Sequence, residues 1–255
     1  MVRRIAQARV GAMRGWWAAV GFLTILPVPA STDRSEALQV LYFPMVGLLI
    51  GAMAWGVDRL CQLGLPGEVR PVVVVLFFAV ITGALHLDGL ADTADGLFSH
   101  RDREGVLSIM RDSRIGVMGC LALIFCLALK TASLAALDSQ VWAWLLAAPA
   151  LGRTAQAAGL TLMPYARPEG RPFQFLFQKG RFSLLSLGWA GMVPPFFLGV
   201  VPGLWVLVVF LGITGIYFWF LKMRLGGLTG DTLGALTELV ETGLFLLGAC
   251  LIHSS

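Results

Sequence analysis

Charge is what this sequence has least of. Only 13% of its 255 residues are Asp, Glu, Lys or Arg, well under the roughly 25% of an ordinary soluble domain. With 57% of residues hydrophobic, this scarcity excludes a water-soluble domain and indicates an integral membrane protein. Cysteine is scarce as well. Cys61, Cys120, Cys126 and Cys250 lie in or beside apolar segments without metal-ligand spacing, and no chemistry is assigned to them. No Ser, Cys or His is set up as the nucleophile of a triad. No linker or shift of composition divides the chain, so residues 1–255 read as a single polytopic domain. An inverted repeat of broken helices, the mark of a midplane transport site, is also missing. The net charge of +4 is no nucleic-acid signal, because the basic residues lie in short loops between apolar runs; no nucleic-acid partner is expected.

What is present begins with basic residues ahead of an apolar stretch, as in a signal peptide. That stretch ends in Pro27 and Pro29 without a small-residue cleavage site, so it is expected to be retained. Arg3, Arg9 and the Trp16–Trp17 pair suit a helix lying at the membrane interface.

A spanning helix needs about 20 apolar residues. Candidates run over residues 38–57, 70–87, 114–136, 140–162, 183–200, 203–221 and 232–252. The fold expected is therefore an all-α integral membrane protein of about seven transmembrane helices plus an N-terminal interfacial helix. The second candidate, PVVVVLFFAVITGALHL, would read as a buried strand in a soluble protein, but a bilayer favours helix. Fifteen of the nineteen Lys and Arg residues fall on alternate loops of one side, against Arg59 and Arg70 on the other, with Lys130 and Arg153 inside spans. The positive-inside rule then makes the N-terminus cytoplasmic and the C-terminus external, and gathers the polar segments on the cytoplasmic face.

Chief among those segments is HLDGLADTADGLF, residues 86–98. Asp88, Asp92 and Asp95, spaced i, i+4 and i+7, share one helical face at the end of the second span. Carboxylates so close repel, and a divalent cation is the simplest resolution; an acidic helix end touching water is the plainer one. Hard oxygen ligands suit magnesium, which takes a few carboxylates together with water and substrate phosphates. Gly89 and Gly96 leave room for a bulky ligand or for close helix packing. His86 falls on the opposite face and reads as structural.

Arg111, Asp112, Ser113 and Arg114 follow. They serve either as positive-inside flanks or as guanidinium forks for phosphate, with Asp112 joining the metal or orienting an arginine. Arg153, inside an apolar span, calls for a partner: an acid of the cluster, a phosphate, or the interface by snorkelling. The stretch GGLTGDTLG, residues 226–234, offers a tight turn at Gly227 and Gly230. Thr229 or Asp231 can cap the helix that follows, and its first amides favour phosphate. Asp231 and Glu238 repeat the i, i+7 spacing, so a second acidic face could enter the site; Glu241 falls off that face. Carboxylates, arginine forks and a glycine-rich helix start suit transfer of a phosphoryl-type group.

HLDGLADTADG, IMRDSRIG, YARPEG and GGLTGDTLGA, with FPMVGLLIG near the start and Arg153 after Gly152, resemble the signatures of the cobalamin synthase family, the adenosylcobinamide-GDP ribazoletransferases. They follow in order over nearly the whole chain. One departure is Ile25, where the family pattern has an arginine. The resemblance implies that α-ribazole or its 5'-phosphate attacks adenosylcobinamide-GDP, releasing GMP and forming adenosylcobalamin or its phosphate. It further implies magnesium as cofactor and the bacterial cytoplasmic membrane as location, with lipid around the chain. On this reading Asp88, Asp92, Asp95, Asp112 and Asp231 serve the metal. Arg111, Arg114, Arg153 and Arg167 neutralise phosphate, and Gly89, Gly227, Thr229, Gly230, Thr232 and Glu238 contact substrate. A broad cavity, with FQFLFQ of residues 173–178 on its wall, would take the corrinoid. The acidic stretch is similar in kind to that of CDP-alcohol phosphotransferases, which keeps a phospholipid-type transferase as the alternative; a cation-coupled transporter is the alternative of another class. Oligomeric state is left open, a homo-oligomer included.

Overall fold

A computed structural model describes residues 2–29, 36–137, 140–167 and 181–253, and within these the protein is helical throughout. The helices are α1 (Val2–Leu23), α2 (Glu36–Cys61), α3 (Arg70–Ile81), α4 (Leu85–Leu97), α5 (Arg103–Ile109), α6 (Val117–Ala136), α7 (Val141–Leu162), α8 (Arg181–Leu198), α9 (Val200–Leu225) and α10 (Gly230–His253). Four of them, α6, α9, α10 and Leu38–Cys61 of α2, are long and apolar enough to cross a membrane. Their outer faces carry bare hydrophobics such as Ile124, Phe125, Trp205, Val208, Leu211 and Trp219, as lipid contact requires. The protein is a multi-pass membrane protein.

The count of seven spans does not hold. Among the described residues four helices pass by length and composition, or five if α3 and α4 are one broken span. α7 is long enough, but it carries Arg153 and Gln156 and is buried along almost its whole length as the central post of the bundle. Gly47 and Gly51 of α2 let it approach: a Cβ there would lie 2.4 Å from the Pro149 carbonyl oxygen and 2.2 Å from that of Leu145. Small residues one turn apart are the usual means of bringing membrane helices into backbone contact.

The larger correction concerns the second span, expected as one helix over residues 70–87. It stops at Ile81 and turns by 88° into α4. Pro71 is tolerated in the first turn of α3, where an amide would go unused anyway. At the far end Thr82 turns its hydroxyl back onto the Phe78 carbonyl (2.9 Å), and Gly83 and Ala84 both take positive φ, 59° and 57°. Left-handed geometry is open to glycine and costs an alanine roughly 1–2 kcal/mol. Twelve residues rise only about 18 Å, short of a hydrocarbon core of about 30 Å. The acidic stretch is therefore a separate helix, lying nearly at right angles to α3.

α4 rests on α10 and α6, with α5 beneath it. α1 ends before Pro27, as the prolines predict, and lays Ala19, Val20 and Leu23 into the core beside α2. At the same end of the bundle, the chain after α7 meets the turn before α10. Leu228 donates to the Pro164 carbonyl (2.9 Å) and Ala166 to the Leu228 carbonyl (2.8 Å), forming a short parallel bridge.

Candidate active site

α4, the α5–α6 turn, the segment after α7 and the start of α10 thus converge. Arg103, counted above only as a loop charge, is their clasp. It donates to the Leu225 carbonyl (2.8 Å) and to the Ala166 carbonyl (2.5 Å), joining α5, α9 and the post-α7 segment.

The start of α10 shows why Thr229 and Thr232 occur as they do. The Thr232 hydroxyl accepts from the Thr229 amide (2.8 Å) and the Thr229 hydroxyl from the Thr232 amide (3.2 Å). This is a reciprocal capping box with threonine in place of the usual Glu. Both threonines are fully buried, so their hydroxyls serve the helix rather than substrate. Gly227 sits tight against the Pro164 carbonyl, where a Cβ would stand 2.3 Å from the oxygen. Asp231, in the first turn of α10, ion-pairs with Arg167.

Gly89 settles its own alternative in favour of packing. A Cβ there would meet the Asp231 carbonyl oxygen at 2.6 Å, so α4 lies with backbone against the α10 terminus. Asp92 consequently sits in the combined field of Asp88, Asp231 and Asp95, countered by Arg167. Asp88 and Asp92, with Arg111, Asp112 and Ser113, border an open pocket of about 1070 Å³. Arg114 grips Asp112 through the side chain (2.5 Å), and this hydrogen-bonded pairing holds the Asp112 carboxyl down at about 2. These contacts are the ones that orienting an arginine, the second of the two roles open to Asp112, requires.

Three expected members are placed otherwise. Asp95 uses both carboxylate oxygens on α6, accepting the Gly116 amide at 2.6 Å and the Gly119 amide at 2.8 Å. Gly116 is the N-cap of α6 and has no side chain, so Asp95 satisfies amides that a local Ser or Asp normally would. Glu238 does not join the acidic face. Seven residues along α10 is a depth of about 10 Å, and there it pairs with Lys130 at 2.6 Å. Arg153 meets neither a phosphate site nor the aspartates; its partner is Glu241, which the face geometry had set aside. Lys130 also reaches Glu241 at 2.7 Å, so two cations balance two carboxylates in the bundle interior.

His86 closes this network. Its Nδ1 lies 3.4 Å from the Arg153 guanidinium and its Nε2 3.0 Å from the Gln156 amide. It is structural in the sense expected: it couples α4 to α7. Lys130 and Glu241 were missed as Arg103 was, although a charge inside an apolar run needs a partner; the uncharged Gln156 gave no such signal. Residues 173–178, with the expected aromatic wall, lie outside the described residues.

Among the described residues no three His, Cys, Asp or Glu side chains are close enough to share one ion. Magnesium does not require that. It is commonly bound by one or two carboxylates and completed by water and substrate phosphates. Asp88 and Asp92, one helical turn apart on the wall of an open pocket, fit that demand.

Residues 15–250 match the protein family described as cobalamin-5-phosphate synthase. The chain belongs to that family. It is 43% identical over 249 residues to "Adenosylcobinamide-GDP ribazoletransferase" of Roseiflexus sp. (strain RS-1), an alignment covering 90% of each chain. A protein of the same name from Desulforamulus reducens is 40% identical over 235 residues, covering 90% of this chain and 93% of the relative. Another, from Klebsiella pneumoniae, is 40% identical over 247 residues, covering 92% and 98%. No solved structure matches the chain. Membership accounts for all four polar segments at once, since each falls within the matched residues.

Proposed function

We propose that this protein is an adenosylcobinamide-GDP ribazoletransferase. It transfers the adenosylcobinamide-phosphate group of adenosylcobinamide-GDP to α-ribazole or its 5'-phosphate and releases GMP. The observation that carries this reading is the meeting of Asp88, Asp92 and Asp231 with Arg167, beside a pocket that Arg111 lines, in a chain of this family. The relatives' shared name favours neither a phospholipid CDP-alcohol phosphotransferase nor a transporter.

In this reading Asp88 and Asp92 hold magnesium, with Asp231 in support. Bound there, the ion neutralises charge on the diphosphate. Arg111 on the pocket wall, Arg114 beside Asp112 and Arg167 beside Asp231 bind phosphate oxygens, Arg167 exchanging part of its pairing with Asp231 for them. The Gly230 backbone at the start of α10 adds the positive end of a helix. A carboxylate of Asp88 or Asp231, close to where the acceptor hydroxyl must approach, takes its proton as the bond to phosphorus forms and GMP leaves. The open pocket receives the donor. The membrane is the bacterial cytoplasmic membrane, with the N-terminus cytoplasmic, the C-terminus external and the site at the cytoplasmic face, where the basic loops lie.

The test is Asp88→Asn or Asp92→Asn in membranes, with GMP release followed from adenosylcobinamide-GDP and α-ribazole. Loss of turnover by two orders of magnitude or more, at preserved expression, is expected. Near-normal turnover sinks the assignment of the carboxylates, and CMP release from CDP-diacylglycerol by the wild type would replace the reaction itself.

A further inference from the structure

A second pocket shares Asp88 with the donor pocket and is otherwise lined by different residues. Its walls are apolar, built from Phe22, Phe43, Leu160 and Leu233, and Asp88 and Asp231 stand on its lining. Phe22 and Phe43 are stacked, with ring centroids 5.7 Å apart and planes inclined by 13°. A flat ring entering beside such a pair extends the stack.

Besides Asp88, Asp231 and His86, the lining holds one neutral amide, that of Gln156. Gln156 is 5% exposed, and one pole of its amide faces His86 while the other has no partner. The neighbours decide which pole is which. The Arg153 guanidinium only donates, so the His86 Nδ1 beside it must accept, and the ring proton resides on Nε2. Nε2–H then takes the amide oxygen of Gln156, and the amide N–H groups are the unpartnered pole of a residue that lines the pocket. A buried donor without an acceptor costs about 1–3 kcal/mol, which a ligand supplying that acceptor recovers.

We propose that this pocket holds the base of the acceptor nucleoside, and that Gln156 donates to the ring nitrogen left free by the glycosidic bond. The inference rests on the proposed reaction for the identity of the occupant. Ribazole carries a benzimidazole: a flat, fused, largely apolar bicycle with one such nitrogen, which matches apolar walls, an aromatic stack and a single donor. With the base so placed, its ribose lies toward Asp88, where the two pockets meet. A base without that nitrogen, or one carrying a donor there, is discriminated against, so Gln156 sets which nucleosides are accepted.

The experiment is equilibrium binding of radiolabelled α-ribazole, and of the matching indole riboside in which that nitrogen is a C–H, to the full-length protein in detergent. Wild type is expected to prefer α-ribazole roughly tenfold, one hydrogen bond's worth. Gln156→Leu removes the preference by weakening α-ribazole alone. Leu160→Trp, which fills the pocket, weakens both ribosides at least tenfold while adenosylcobinamide-GDP binding stays intact. Equal affinity of the wild type for the two ribosides, an equal loss of both in Gln156→Leu, or unchanged binding in Leu160→Trp overturns the proposal. GMP release is followed in parallel. Nucleoside binding of the expected pattern without GMP release overturns the reaction and leaves the pocket assignment standing; GMP release with Gln156-independent binding does the reverse.

Discussion

Asp95 on α4 accepts the backbone amide of Gly119, the third residue into α6, at 2.8 Å. A carboxylate in register with two candidate metal ligands is thus a helix cap supplied from 24 residues away. Asp95→Ala should lower the stability of the detergent-solubilised protein by about 1–2 kcal/mol, the usual loss of a cap. The magnesium concentration for half-maximal activity should stay unchanged. Thermal melts and a magnesium titration, set beside those of Asp92→Asn, separate the two roles: a cap moves the melt and a ligand moves the titration.

Gly89→Ala places a methyl group 2.6 Å from the Asp231 carbonyl and forces α4 away from α10. A shift of about 1 Å at a reacting centre costs on the order of 100-fold in rate. Gly212→Ala, at a position where nothing lies within 4 Å of an added Cβ, is the control and should behave as wild type. GMP release at matched expression reads both.

Glu241→Gln leaves Arg153 and Lys130 facing one carboxylate, Glu238, instead of two. Breaking a buried pair from one side typically costs about 3–5 kcal/mol, because the orphaned charge stays desolvated. Expression should fall sharply. Removing one cation as well, in Glu241→Gln with Lys130→Met, returns the interior to one cation and one carboxylate and should recover part of it, and fluorescence-detected gel filtration would report both results.

The Asp112–Arg114 pair bears on pH. Asp112 is depressed to about 2 in the folded protein, so its contribution is complete above the ordinary carboxylate range near 4 and is lost only as pH falls through about 2. Between pH 5 and 9 the pair does not titrate. Asp112→Asn should therefore leave the shape of the kcat/KM profile unchanged over that range while raising KM for the donor, since Arg114 loses its orienting partner. An acid limb that shifts in the variant would contradict this assignment.

Much of the site could be read from residue types and spacing alone. Asp88, Asp92, Arg111, Asp112 and Asp231 are unusual in an apolar chain, and a costly group demands a reason wherever it appears. What escaped was set by partners far along the sequence. Asp95 has the same helical phase as Asp88 and Asp92, and nothing local reveals that Gly116 needs a cap from outside. Lys130 and Glu238 lie 108 residues apart, so the pair is visible only as two separately unexplained charges. The 88° break was hidden for another reason. Hydropathy runs smoothly through TGALHL, and the decisive property, a left-handed Ala84, is a backbone angle that no apolar periodicity records.

The contact of Gly89 with Asp231 also orders events in time. α4 emerges from the ribosome long before α10, yet its acidic face lacks its supporting surface until α10 has entered the membrane. A nascent or truncated chain ending before residue 230 holds its aspartates without Asp231, without the capped helix start and without the packing that fixes α4. Competence therefore arrives in one step, late in synthesis, and a half-made copy in the bilayer has no assembled site with which to engage its substrates.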